Sequence, residues 1–282
     1  MVNKNKLSEV VLLTKSYNLQ DFKDWLHWHL DIIGFDCCHI FDNESWVDIK
    51  SVCDSYGDRV TYELITGWPN QYTLYNKYIN NKSSAWWVLP IDDDEFLYIG
   101  DKFHNNVNEM ILTLQDKWPD IKKFSIGWRN MFPLEYTEKR TKSLIENATG
   151  WSDYVCKQLY PIWRQDNSWV KTFVKTTATW YWGMPHNGGH NPTYNCTNNN
   201  VGSYLINGKK IYDDWINPPC ACDDLFIAHF QYKSNIEWIM KCRERKSAAN
   251  KTFNKNKPKI YKTIYKYSRF FKTFEGLLKL WK

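Results

Sequence analysis

No run of apolar residues in the 282-residue chain is long enough to cross a bilayer, and only 12 glycines and 10 prolines are present. A membrane-spanning helix is therefore not expected. The stretch Leu12 to Asp21, which follows the first apolar run, contains no glycine, and this excludes the phosphate loop that a nucleotidyltransferase places there. The D-x-D-x-[TV] pattern of phosphatases with an aspartyl nucleophile is not met at Asp92 and Asp94, because Glu95 and Phe96 follow. Eight cysteines are present, but Cys220 and Cys222 form a lone C-x-C pair, which is too little for a structural zinc site. The first seventeen residues show neither an apolar h-region nor a cleavage site, which points to a reducing, cytoplasmic setting and a soluble or peripherally membrane-associated protein. The N-x-[ST] sequons at Asn43, Asn81, Asn147, Asn195 and Asn250 are then expected to stay bare.

Aromatic residues, by contrast, are plentiful: they make up 17% of the chain and include 16 tryptophans. Most are expected to serve packing, although flat rings with a polar edge also suit stacking on sugars. The hydrophobic fraction of 43% and the charged fraction of 24% are those of an ordinary folded protein.

The net charge of +6 is unevenly spread. Residues 243–282 carry thirteen Lys and Arg against Glu244 and Glu275, which leaves an excess of acids over residues 1–242. This predicts an α/β domain over 1–242 and a basic tail over 243–282. Within the tail Phe270, Phe271, Phe274, Leu277, Leu278 and Trp281 share one helical face, so an amphipathic basic helix is expected to dock on the body or to contact an anionic membrane.

Along the body, apolar runs at 10–14, 37–41, 60–64 and 85–91 read as buried strands, separated by helical spacing over 19–33, 46–56 and 72–81. Gly34 stops the first helix. Such alternation predicts a mainly parallel sheet flanked by helices, with ligands at the carboxyl ends of its strands. Further strands are expected at 123–128 and 172–175, and a polar loop over 187–202.

Three motifs carry chemistry. Asp92-Asp93-Asp94-Glu95 directly follows an apolar strand; Asp92 and Asp94 form a D-x-D whose carboxylates suit a hard divalent ion, while an acidic helix start is the plainer alternative. Repulsion among the four acids calls for a compensating cation. A second motif, Ile227 to Ser234, ends a strand with His229, Lys233 and Ser234, a nitrogen ligand and a point charge for a diphosphate. The third is Phe41-Asp42-Asn43-Glu44-Ser45, suited either to a ribose or uracil edge or to capping a turn.

Lys15, Asp24-Trp25, His29, Gly34, the F-D-N-E-S turn, D-D-D-E-F-L and H-F-Q-Y-K-S occur in an order that resembles family 92-like glycosyltransferases, relatives of the family 2 class with the GT-A (Rossmann-like) fold. The resemblance spans most of residues 10–240. It implies an inverting, metal-dependent glycosyltransferase that moves a sugar from a nucleotide donor, such as UDP-galactose, UDP-glucose or UDP-xylose, to a glycan hydroxyl. By the same resemblance Asp92, Asp94 and His229 hold Mn2+ (or Mg2+), Lys15, Asp42, Asn43, Asp92 and Lys233 serve the donor, and Trp128 and His186 line a pocket. Tyr17 and Phe230 depart from the family pattern. Asp153 is the first candidate for the base, with Glu135, Asp213, Asp214, Asp223 and Asp224 also open. The competing class is a non-enzymatic glycan- or nucleic-acid-binding module. The acidic body disfavours specific nucleic-acid binding.

Overall fold

The apolar runs become strands, and asparagines set several of the helix starts between them. In the computed structural model the described residues are 4–67, 70–152, 154–156, 170–181, 193–194, 203–205, 223–244 and 264–282. Strand β1 (Lys6–Thr14) leads to helix α1 (Leu19–His27), which continues as a π-helical turn over Trp28–Ile32. The side chain of Asn18 caps α1 by accepting from the N–H groups of Gln20 and Asp21. Gly34 ends this segment at φ +83°, and a Cβ there would lie 2.5 Å from the Asn106 amide nitrogen.

Strand β2 (Cys37–Asp42) is buried throughout and is followed by α2 (Lys50–Ser55), β3 (Val60–Leu64), α3 (Gln71–Asn81), β4 (Ala85–Pro90) and β5 (Glu95–Ile99). The helix expected over 46–56 is shorter than its spacing suggests. At its start Trp46 donates its N–H to the Ser16 carbonyl, a loop contact that draws the backbone out of helical bonding. Asn70 and Asn106 cap α3 and α4 (Val107–Lys117) as Asn18 caps α1. Then come β6 (Lys123–Phe132), α5 (Leu144–Asn147), β7 (Gly150–Trp151), β8 (Val170–Lys175), the antiparallel pair β9 (Trp180–Tyr181) and β10 (Thr193–Tyr194), β11 (Ser203–Leu205) and β12 (Leu225–His229). Helix α6 (Asn235–Glu244), β13 (Lys272–Thr273) and α7 (Gly276–Trp281) complete the described elements.

The chain divides into two compact units, Met1–Trp128 with Ser168–Ile227, and Arg129–Asn167 with Ala228–Lys282. In the first unit β3, β2, β1 and β4 lie side by side in that order and all run parallel. This is the Rossmann-like order of a mainly parallel α/β fold. Strand β8 closes the row antiparallel to β4 and to the first half of β6. Val11, Phe41, Tyr75, Tyr78, Ile79, Val88 and Val174 form a core between sheet and α3.

The second unit has its own core of Phe132, Val155, Cys156, Tyr232, Trp238 and Ile264. Here the end of β6 pairs with β7, and β7 with β13. The apolar face read over 270–281 is α-helical only over α7, with Phe270 in a 3-10 turn over Ser268–Phe270, because Lys272–Thr273 instead extend the β7 pairing and Phe271 stacks on Phe132 at 5.2 Å. Leu277 is buried in this unit, while Lys266, Arg269, Lys272, Lys279 and Lys282 stay exposed. Deleting 268–282 would thus remove core side chains, and neutralising Lys279 and Lys282 is the cleaner test of membrane contact. If these cations contact anionic lipid, co-sedimentation with phosphatidylserine vesicles should fall in the Lys279→Ser/Lys282→Ser protein; unchanged sedimentation would remove the membrane from the list of partners.

Candidate active site

A parallel sheet delivers its strand ends to one edge. Thr14 at the end of β1 is in register with Asp42 at the end of β2, and the Asn43 N–H donates to the Thr14 carbonyl at 2.7 Å. On the other side of β1, the chain leaving β4 bonds back through Ile91 N–H to the Val11 carbonyl, which sets the acidic turn beside Thr14. The Thr14 hydroxyl donates to the Asp93 carboxylate at 2.7 Å. Asp93 therefore faces β1, and its neighbours Asp92 and Asp94 form the D-x-D.

Within the turn, the Asp92 N–H donates to Glu95 Oε2 at 2.8 Å, and the Glu95 N–H returns to the Asp92 carbonyl. Asp92 Oδ1 accepts from the Gln71 amide at 3.0 Å, and Asp92 Oδ2 accepts from Lys171 Nζ at 3.0 Å. Lys171 also lies 3.1 Å from Glu95 Oε2, so one ammonium bridges two of the four acids. Burial works to lower the Lys171 pKa, but the Asp92 and Glu95 charges outweigh it and hold it above the ordinary value. Glu95 is completely enclosed; burial, with Asp92 and Asp94 nearby, pushes its pKa up to about 8 against the pull of Lys171. Its Oε1 is buried without a hydrogen-bond partner. The turn leads into strand β5 rather than into a helix, so the acids are not a helix start.

Lys171 supplies a compensating charge for the acidic turn. It stands on β8, antiparallel to β4, in the strand VKTFVK, whose four central residues are all buried. Its burial is not legible in the strand's own sequence, where Lys175 is an equal candidate and both faces are covered.

The turn is held by residues of α1 and of the π-helical turn that continues it. The Trp25 indole N–H is shared between the carbonyls of Asp92, at 3.1 Å, and Glu95, at 3.0 Å. Trp28 donates to the Leu97 carbonyl at 2.8 Å. His29 Nε2 accepts from the Leu97 N–H, which leaves the ring proton on Nδ1, where it is donated to the Trp25 carbonyl at 2.8 Å. Burial lowers the His29 pKa to about 3, so the ring is neutral. Trp25 and His29 thus belong to the scaffold of the acidic turn.

Asp42 is buried, with Oδ1 accepting from the Ser45 N–H at 2.8 Å and Oδ2 from the Tyr62 hydroxyl at 2.7 Å. The Asn43 amide donates to the carbonyls of Ile65 and Gly67. Both residues shape the turn at the edge of the sheet. Lys15 next to them is half-buried and makes no hydrogen bond or ion pair among the described residues. Trp128 is buried with Lys171 Nζ 5.8 Å from its ring centroid. In the second unit His229 is buried and bonded through Nδ1 to the Asn130 side-chain oxygen at 2.9 Å, and the buried Lys233 accepts at its carbonyl from Asn147. Ser234 starts α6 by exchanging hydrogen bonds with Glu237. Asp153, His186, Asp213 and Asp214 lie outside the described residues. Among the described residues no three His, Cys, Asp or Glu side chains are grouped to hold a metal ion.

No family model matches the chain, and no curated protein matches it. Among solved structures it is similar to S. aureus TarS 1-349, with a TM-score of 0.34 and 13% identity over 61% of this chain and 47% of that one. The same TarS fragment in complex with UDP gives a TM-score of 0.32 at 11% identity, again over 61% and 47%. A 4-diphosphocytidyl-2C-methyl-D-erythritol synthase from Anaerococcus prevotii gives 0.29 at 12% identity, over 49% of this chain and 60% of that one. The chain thus spans just under half of the TarS fragment. At these scores the likenesses bear on neither site nor activity, and the fold class rests on strand order and direction.

Proposed function

We propose that the chain is a glycosyltransferase that takes a sugar from a nucleotide donor, a UDP sugar in the first instance, and transfers it with inversion to a glycan hydroxyl. The observation behind this is the acidic turn 92–95, fixed at the carboxyl end of a parallel strand on the edge that also bears Thr14, Lys15, Asp42 and Asn43. Ligands of open α/β sheets bind at that edge. Asp42 and Asn43 form the nucleoside side, and Lys15 supplies a cation toward the phosphates. An acceptor hydroxyl must lose its proton as it attacks, and Asp153 remains the first residue to test as that base.

The acidic turn fits a hard divalent cation in its chemistry, since Asp92 and Asp94 offer carboxylate oxygens two residues apart in one turn. Asp92 and Asp94 would hold Mn2+ or Mg2+, which would neutralise charge on the departing diphosphate.

Release of UDP from UDP-galactose, UDP-glucose and UDP-xylose tests the activity. Hydrolysis of one donor by the wild type, lost in Asp94→Ala, is the expected outcome; Asp153→Asn should bind donor yet turn it over at least about a hundredfold more slowly. A module that binds glycan without catalysis would instead bind sugar equally with and without nucleotide and metal, and would release no UDP from any donor.

A further inference from the structure

The cation that the acidic turn requires is already built into the protein. Lys171 Nζ sits 3.0 Å from Asp92 Oδ2 and 3.1 Å from Glu95 Oε2, with its side chain only 4% exposed. Gln71 holds the other Asp92 oxygen at 3.0 Å, so both oxygens of the first D-x-D acid are engaged by nitrogen donors. Glu95 Oε1, on a fully buried side chain, has no hydrogen-bond partner. A divalent ion held by Asp92 and Asp94 would meet a positive charge on the Asp92 carboxylate that it needs, and the two cations repel.

We propose that Lys171 is the resident counter-cation of the acidic turn, and that it competes with divalent metal for Asp92 and so sets the metal affinity of the site. This rests on assigning the turn to the donor diphosphate, but it is a statement about metal binding in the absence of nucleotide. Without metal, Lys171 keeps the acids from repelling one another and the turn stays in place on Trp25. With metal, Lys171 must give up Asp92, which frees an ammonium beside the site. Lys171 is therefore a positioning residue, and its removal should strengthen metal binding, whereas removal of a structural cation would weaken or abolish it.

The test titrates Mn2+ alone into the full chain and follows the electron paramagnetic resonance signal of free Mn2+. Lys171→Met and Lys171→Gln should each bind Mn2+ about tenfold or more tightly than the wild type, and Lys171→Arg should stay weak, because a unit charge a few ångströms from the ion is removed in the first two and kept in the third. Mn2+ should also raise the thermal midpoint of the neutral variants more than that of the wild type. Neutral variants that fold and bind no more tightly than the wild type would overturn the proposal. Should those variants not fold, the wild type decides: Lys171 should resist amine acetylation without metal and become reactive at saturating Mn2+, and unchanged protection would overturn it. UDP binding is measured separately, so loss of nucleotide binding with the predicted Mn2+ behaviour would sink the donor-site assignment and leave the role of Lys171 standing.

Discussion

His39→Phe should gain stability on the wild type by roughly 1.4 kcal/mol for each pH unit below 6.5, the ordinary histidine value. His39 is enclosed in the first unit, stacked on Tyr78 with 4.0 Å between ring centroids and bonded through Nδ1 to the Thr61 hydroxyl. Burial, and then the Lys82 charge, lower its pKa to about 3. The folded value lies below the unfolded one, so the stability at stake is fully present above pH 6.5 and is lost as the pH falls toward about 3. The unfolded chain takes up a proton that the folded chain refuses. Phenylalanine keeps the ring stack and cannot take up that proton. Comparison with the variant is needed because Glu95, raised to about 8, acts in the opposite sense across the same range, as its folded form holds a proton that the unfolded chain has lost. Urea unfolding at pH 7 and pH 5.5, on both proteins, gives the difference directly. A difference that does not change with pH would mean that His39 is not held neutral.

Trp25→Ala should cost about 3–5 kcal/mol, the range for deleting a buried tryptophan side chain. The milder Trp25→Phe separates packing from hydrogen bonding. It keeps an aromatic ring beside His29, whose centroid is 4.3 Å away, but removes the N–H shared by the Asp92 and Glu95 carbonyls. We expect a cost of about 1–3 kcal/mol for those buried acceptors, and weaker UDP binding, because the peptide unit that aims Asp92 loses its anchor. Urea denaturation and calorimetric UDP titration on the same preparation read the two effects. Full stability with unchanged nucleotide affinity would show that the turn holds its shape without α1.

The parallel core was legible because its strands are short apolar runs bounded by polar turns, and β1, β2, β3 and β4 lie where 10–14, 37–41, 60–64 and 85–91 place them. Gly34 was legible for a local reason too, since its φ of +83° suits glycine best. Strand β5 was hidden inside a motif: Glu95 and Phe96 read as part of an acidic signature, although both are fully buried in a strand. Helix α4 is capped by Asn106, and asparagine is so frequent in this chain that one more of them marks nothing. Lys171 could not be paired with Asp92 from sequence because 79 residues separate them and only the antiparallel placement of β8 brings them together. Likewise, Trp25 and His29 stood in the motif order as markers, and only the fold shows that they carry the turn rather than a ligand.

Calorimetric titration of UDP into the wild type and Asp94→Ala, each with Mn2+ and with chelator, tests the nucleotide-sugar site most directly. The expected result is UDP binding by the wild type that strengthens with Mn2+, and in Asp94→Ala a loss of that metal-dependent gain. Folded wild-type protein that binds neither UDP nor GDP under either condition would contradict the assignment of the acidic turn to a nucleotide-sugar donor.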